Sequence, residues 1–155
     1  MLTPIIIILI LASPLTVALV LATFKFTPLD LKKYSCWGLG CAFIFFFIGH
    51  IVKADGMVAM LPPWIPYRLT LVYLTGLLEL LIAIGLFLPK WQTRAATTAI
   101  AVLVVFFPAN VYAAFNAVGL GGHQWGPSYL FIRAPLQIFL ISWAYFLCLK
   151  TTSKP

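Results

Sequence analysis

One carboxylate stands inside an apolar stretch that otherwise carries no charge: Glu79, in YLTGLLELLIAIGLFLP. It lies 11 residues after Arg68 and 10 before Pro89. At about 1.5 Å of helical rise per residue, that is roughly 15 Å from either end of the stretch, near the middle of a bilayer. An ionised carboxylate at that depth is costly, so it faces protein, finds a partner or takes up a proton. Two readings follow. Glu79 is a ligand-binding or proton-handling acid, or it makes an inter-helix hydrogen bond that holds a bundle together. Gly76, three residues earlier, would let a neighbouring helix approach that same face.

Other polar groups gather toward one side of this acid. His50 ends an apolar stretch, and Tyr73 lies five residues into the stretch that carries Glu79. Asn110 lies five residues from Phe115, roughly 8 Å deep, and Gln137 about 12 Å deep in the last stretch. Arg133 and Gln137 are four apart and share a helix face. These positions predict one outward-opening polar cavity floored by Glu79, with Arg133 as its nearest cation. His50 and Glu79 differ in depth by some 10 Å, which argues against direct contact. The segment MLPPWIPYR, Met60 to Arg68, has three prolines in five residues, which predicts a stiff, extended connection. Trp64, Tyr67 and Arg68 suit the membrane–water boundary, as a rigid turn or as a lid over the cavity. His123, in GLGGHQWG, reads as a solvated loop histidine.

Alternative chemistries find little support. A copper site from His50, Met57 and Met60 has suitable ligand types but no defined geometry. A haem held by His50 and His123 would take one ligand from a loop, whereas haem ligands in bundles project from facing helices. No metal site is therefore expected. The three cysteines, Cys36, Cys41 and Cys148, fall at the same side of the chain's spans, opposite the polar cluster, with no CxxC motif. Serine–histidine–acid order, phosphate-binding glycine loops and HExxH are all missing from the sequence.

The elements that must position these residues follow from composition. Of 155 residues, 63% are hydrophobic and 8% charged, against about 25% charged in a soluble domain. Such a chain belongs in a bilayer, whose core admits about 20 residues per helical span. Apolar stretches at 4–24, 35–52, 69–88, 95–115 and 129–149 predict an all-α bundle of five transmembrane helices in one domain covering 1–155. The first has no basic residue before it and is too long for a signal-peptide core, so it reads as a retained helix, kinked at Pro14. The net charge of +7 is scattered rather than clustered, which excludes a nucleic-acid surface. Lys25, Lys32, Lys33, Lys90, Arg94, Lys150 and Lys154 fall on one side, against Lys53, Arg68 and Arg133 on the other. By the excess of basic residues in cytoplasmic loops, the N-terminus is outside and the C-terminus inside.

From the second stretch to the fifth the chain resembles the DoxX-like family of small membrane proteins. The resemblance rests on GHIVKADGMVAMLPPWIPYRL (Gly49 to Leu69), the Glu79 stretch, FPANVYAAFN (Phe107 to Asn116) and IRAPLQ (Ile132 to Gln137). It implies a four-helix core to which the first helix is an addition, and a bacterial cytoplasmic membrane. It marks Glu79, Asn110, Arg133 and Gln137 as motif positions without giving any of them a catalytic role. Some relatives are subunits of redox systems, including thiosulfate:quinone oxidoreductase and a thiol-stress complex. No outward cysteine pair is expected here, which speaks against thiol chemistry in this chain.

The function expected on these grounds is a membrane subunit that binds a small apolar or amphipathic ligand, quinone being the cofactor candidate, and supports a redox partner protein. The binding residues would be His50, Trp64, Tyr67, Arg68, Tyr73, Glu79, Asn110, Arg133 and Gln137. Two alternatives stand beside it: a small intramembrane enzyme acting on a lipid-soluble substrate with Glu79 as acid or base, and a structural or assembly protein with a filled interior. A homo-oligomer is compatible with each.

Overall fold

The computed structural model describes residues 2–24, 29–119 and 121–151. Every regular element among them is helical: α1 (Leu2–Thr23), α2 (Leu31–Val52), the short α3 (Ala54–Ala59), α4 (Arg68–Phe87), α5 (Gln92–Phe115) and α6 (Leu130–Trp143). The last helix continues as a π-helical segment, Ala144–Lys150. Five helices are long and apolar enough to cross a membrane: α1, α2, α4, α5 and the run from Pro127 to Lys150. The protein is therefore an all-helical, multi-pass bundle.

Local chemistry sets the ends. The second span begins at Leu31, four residues before the expected 35, because the Asp30 side chain accepts the Lys33 backbone N–H at 3.0 Å and caps the helix. It is then 22 residues long and crosses without stretching. The proline segment differs from its expected extended form. Pro62 starts a turn in which its carbonyl accepts the Ile65 N–H at 3.1 Å, and Tyr67 takes a left-handed backbone (φ 52°) just before α4. The fixed proline φ suits a turn as well as an extended strand, and a turn satisfies one more backbone group.

α1 packs chiefly against α2 and sends Ile7 and Leu11 into the core that the other four spans build. The helices meet through small residues. A Cβ added at Gly38 would collide with the Leu11 backbone carbonyl, so α1 and α2 approach at backbone distance there. Ala42, Ala83, Ala96, Ala99 and Ala144 are fully buried with Leu39, Phe43, Leu86 and Leu140. Lipid chains are as apolar as leucine, so it is this close van der Waals fit, rather than escape from water, that holds the helices together. Cys36 of α2 and Cys148 of the π-helical segment are buried in the same region. Cys41 is half-buried nearby, and all three cysteines are free. Trp143 closes that end by donating its indole N–H to the Ser35 carbonyl at 3.1 Å.

Candidate functional site

At the other end the helices enclose a cavity of about 620 Å³. Small-molecule sites span about 300–1,000 Å³ and are mostly apolar with a few placed polar groups. The walls here fit that description. Thr3 and Ile7 come from α1, Phe45 and Phe46 from α2, Val72 from α4 and Phe106 from α5, with Met57, Met60 and Leu61 across the top. The polar groups are His50, Lys53, Thr75, Glu79, Asn110, His123, Tyr129, Arg133 and Gln137. Pro108 and Pro135 fall in this half of α5 and α6. Each removes a backbone hydrogen bond and permits the helix to bend away from its neighbours.

The centre of the site is a pair. His50 Nδ1 lies 3.0 Å from Glu79 Oε2 and 3.1 Å from the Phe46 carbonyl oxygen. Both residues are buried. With a carbonyl on one side, Nδ1 carries a proton and donates it to that oxygen, while Glu79 Oε2 lies against the same nitrogen. The expected gap between these residues does not exist. The helix ends are not level: α4 runs past the end of α2, and His50 lies beside Gly76, the third turn of α4. A Cβ at Gly76 would come within 2.7 Å of His50 Cβ, so the glycine makes the room in which the imidazole reaches one turn down to Glu79.

Two amides are spent on backbone. Gln137 donates Nε2–H to the Leu103 carbonyl, and Asn110 donates Nδ2–H to the Phe106 carbonyl at 3.1 Å. The second bond is the back-bond that a short polar side chain makes within its own helix. Arg133 is partly buried and lines the cavity, yet no described residue accepts a hydrogen bond from it, and no carboxylate lies within ion-pair distance. Glu79 and Tyr129 share the cavity wall with it.

The nine residues singled out from sequence therefore divide. His50, Glu79, Asn110, Arg133 and Gln137 meet on the cavity wall. Tyr73, Trp64 and Tyr67 do not: they are 49%, 76% and 83% exposed. The buried face of α4 is Val72, Gly76, Glu79, and Tyr73 points about 100° away from it by helical geometry. Trp64 instead packs its ring on Tyr112, centroids 6.0 Å apart. Arg68 reaches back toward the Leu61 carbonyl at 3.5 Å and braces the segment that roofs the cavity without entering it.

The polar lining also includes Lys53, Thr75, His123 and Tyr129, none of which is among the nine. His123, read as a solvated loop residue, is 4% exposed. Its loop turns through left-handed glycines, Gly119, Gly121 and Gly122, and folds the imidazole edge-on against Tyr129, ring centroids 4.9 Å apart. The Gly122 α-carbon lies so close to the Tyr129 ring that a Cβ there would collide with it. Tyr129 itself went unnoticed, although it precedes Arg133 by four residues and shares its helical face.

Such a chamber can hold an uncharged or amphipathic molecule with its polar end near His50, Glu79 and Arg133. It can also exchange a proton with that molecule through the His50–Glu79 pair. No group of three or more His, Cys, Asp or Glu residues is disposed to hold a metal among the described residues. No curated protein and no solved structure matches the chain. The chain belongs to the family described as a domain of unknown function (DUF8561), which matches residues 39–148 and so contains every cavity residue except Thr3 and Ile7 of α1.

Proposed function

We propose that the protein is a membrane subunit that binds a small apolar or amphipathic molecule in this cavity and serves a redox partner protein, with quinones among the candidate ligands. The carrying observation is the cavity itself, apolar on its walls and polar at His50, Glu79 and Arg133. The resemblance to DoxX-like redox subunits supports the quinone and the partner. The same resemblance and the distribution of lysine and arginine support a bacterial cytoplasmic membrane, with the cavity end facing outward. Titration of the purified protein in lipid nanodiscs with a quinone analogue tests the reading. Saturable binding that weakens in Phe106→Trp, which fills the cavity, and in Glu79→Ala is expected. Failure of every apolar or amphipathic probe to saturate would remove it.

One observation favours a second reading. A buried carboxylate 3.0 Å from an imidazole is a proton-transfer unit, which suits a small intramembrane enzyme acting on a lipid-soluble substrate. Glu79 would then move the proton and His50 would hold and relay it. Turnover of a membrane-soluble substrate that is lost in both Glu79→Gln and His50→Gln would establish it.

A further inference from the structure

The charges on the cavity wall do not balance. Glu79 is the one acid among the lining residues, and it is engaged by His50. Against it stand two obligate cations, Lys53 and Arg133. Even with both histidines neutral the chamber is positive. Lys53 is exposed at the end of α2 and is hydrated there. Arg133 is not so placed. It stands on α6 one turn from Gln137, its Nε is closed off from solvent, and none of its donors has a partner among the described residues. Guanidinium inside a bundle ordinarily pairs with an acid or a row of carbonyls. The amides that might have turned acceptor oxygens toward it are tied by their N–H groups to Leu103 and Phe106.

We infer that the molecule held in this cavity carries a compact oxyanion, a carboxylate on a long apolar chain, seated on Arg133 with its chain along the apolar walls. This rests on the reading that the cavity holds an amphipathic molecule, and it names the class. A carboxylate matches the planar fork of guanidinium and supplies both the missing acceptors and the missing charge. A neutral carbonyl, such as a quinone's, would accept a hydrogen bond but supply no charge to pair with the guanidinium. A small anion without a tail would leave the apolar walls around Phe45, Phe46 and Phe106 unfilled. The acid–imidazole pair beside the head disfavours a doubly charged group, because Glu79 would repel a second negative charge.

The test compares palmitate, methyl palmitate, decyl-ubiquinone and acetate on the full chain in nanodiscs of uncharged phosphatidylcholine. Palmitate is expected to bind saturably at one site per protein. Methyl palmitate is expected to bind about 10- to 100-fold more weakly, the contribution of hydrogen bonds to a charged partner. Acetate is not expected to saturate. In Arg133→Gln the acid and the ester should bind alike, while Arg133→Lys should restore part of the preference. Equal binding of acid and ester to the unaltered chain overturns the inference with no variant needed. So does a preference that survives in Arg133→Gln. Saturable binding of decyl-ubiquinone with none of palmitate overturns the carboxylate class and leaves the binding role standing. Silence from all four probes overturns both.

Discussion

At the end of the bundle where α2 begins, the helices touch through glycine and alanine; at the end where it finishes, they part around a cavity. The same spans make both ends. At the first, Gly38 meets the Leu11 backbone, and Ala96, Ala99 and Ala144 are fully buried with Phe43, Leu86 and Leu140. The buried titratable groups there, among the described residues, are the thiols of Cys36 and Cys148. At the second, the small residues give way to phenylalanine, prolines interrupt α5 and α6, and His50, Glu79 and Arg133 face inward. The closed end is organised for stability and the open end for occupancy. Replacements of equal size should therefore have unequal effects at the two ends.

The largest contrast is between two phenylalanines. Phe43 is fully buried in the closed half, whereas Phe106 is a partly buried wall of the cavity. Phe43→Ala opens a void that helices meeting at backbone distance cannot collapse, and should cost about 3–5 kcal/mol. Phe106→Ala enlarges a space already present and should cost about 1 kcal/mol or less, since few contacts are lost. Reversible unfolding in mixed micelles measures both. Equal losses would mean that the two ends are packed alike.

Next in size is the pair that marks the open end. Removing one member of a buried charge pair leaves the other without compensation, and His50→Leu, which strands the carboxylate, should cost about 3 kcal/mol. Glu79→Leu should cost less, because the imidazole it leaves is uncharged near neutral pH. A double-mutant cycle should return a coupling of about 1–3 kcal/mol. A coupling near zero would mean that the 3.0 Å approach contributes nothing to the fold.

The sequence discloses these two ends unevenly. The five spans stand out because each must carry about 20 apolar residues, and the depth of Glu79 follows from counting along a single helix. Contacts between helices do not follow from counting. Counting along α2 alone puts His50 too shallow, because α4 extends beyond α2 and His50 lies beside Gly76. Tyr73 was placed inward because depth was read without azimuth: it shares a depth with Val72 but not a face. The burial of His123 depends on left-handed glycines folding a loop back onto Tyr129, a tertiary event with no periodic signal. Arg133 and Gln137 were legible because four-residue spacing fixes both depth and face.

Gly76 offers a finer probe of that offset. A methyl group there would press on His50 Cβ, close to the backbone rather than at a flexible tip. Gly76→Ala should therefore cost about 1–3 kcal/mol by overpacking, although alanine is the better helix former by about 1 kcal/mol. The imidazole should also move off Glu79, visible as a change in the His50 ring ¹⁵N signals. An unchanged His50 signal with unchanged stability would mean that α2 and α4 slide freely past one another.

The smallest effect has the opposite sign. Arg133 brings a cation into the bundle without a partner among the described residues, so in the empty protein its desolvation is not offset. Methionine has a similar length, no charge and no unmet donors. With bound amphiphiles stripped away, Arg133→Met should be more stable than the unaltered chain by about 1–2 kcal/mol. Palmitate should then reverse the ranking, because a ligand stabilises only the form that binds it, by about 2.7 kcal/mol at a hundred times its dissociation constant. Thermal unfolding of both proteins with and without the fatty acid gives four values. If Arg133→Met is less stable in the stripped state, the arginine supports the fold as ordinary bundle residues do. The open end would then lose its distinction from the closed one, because its cation would have a structural role in place of a ligand to meet.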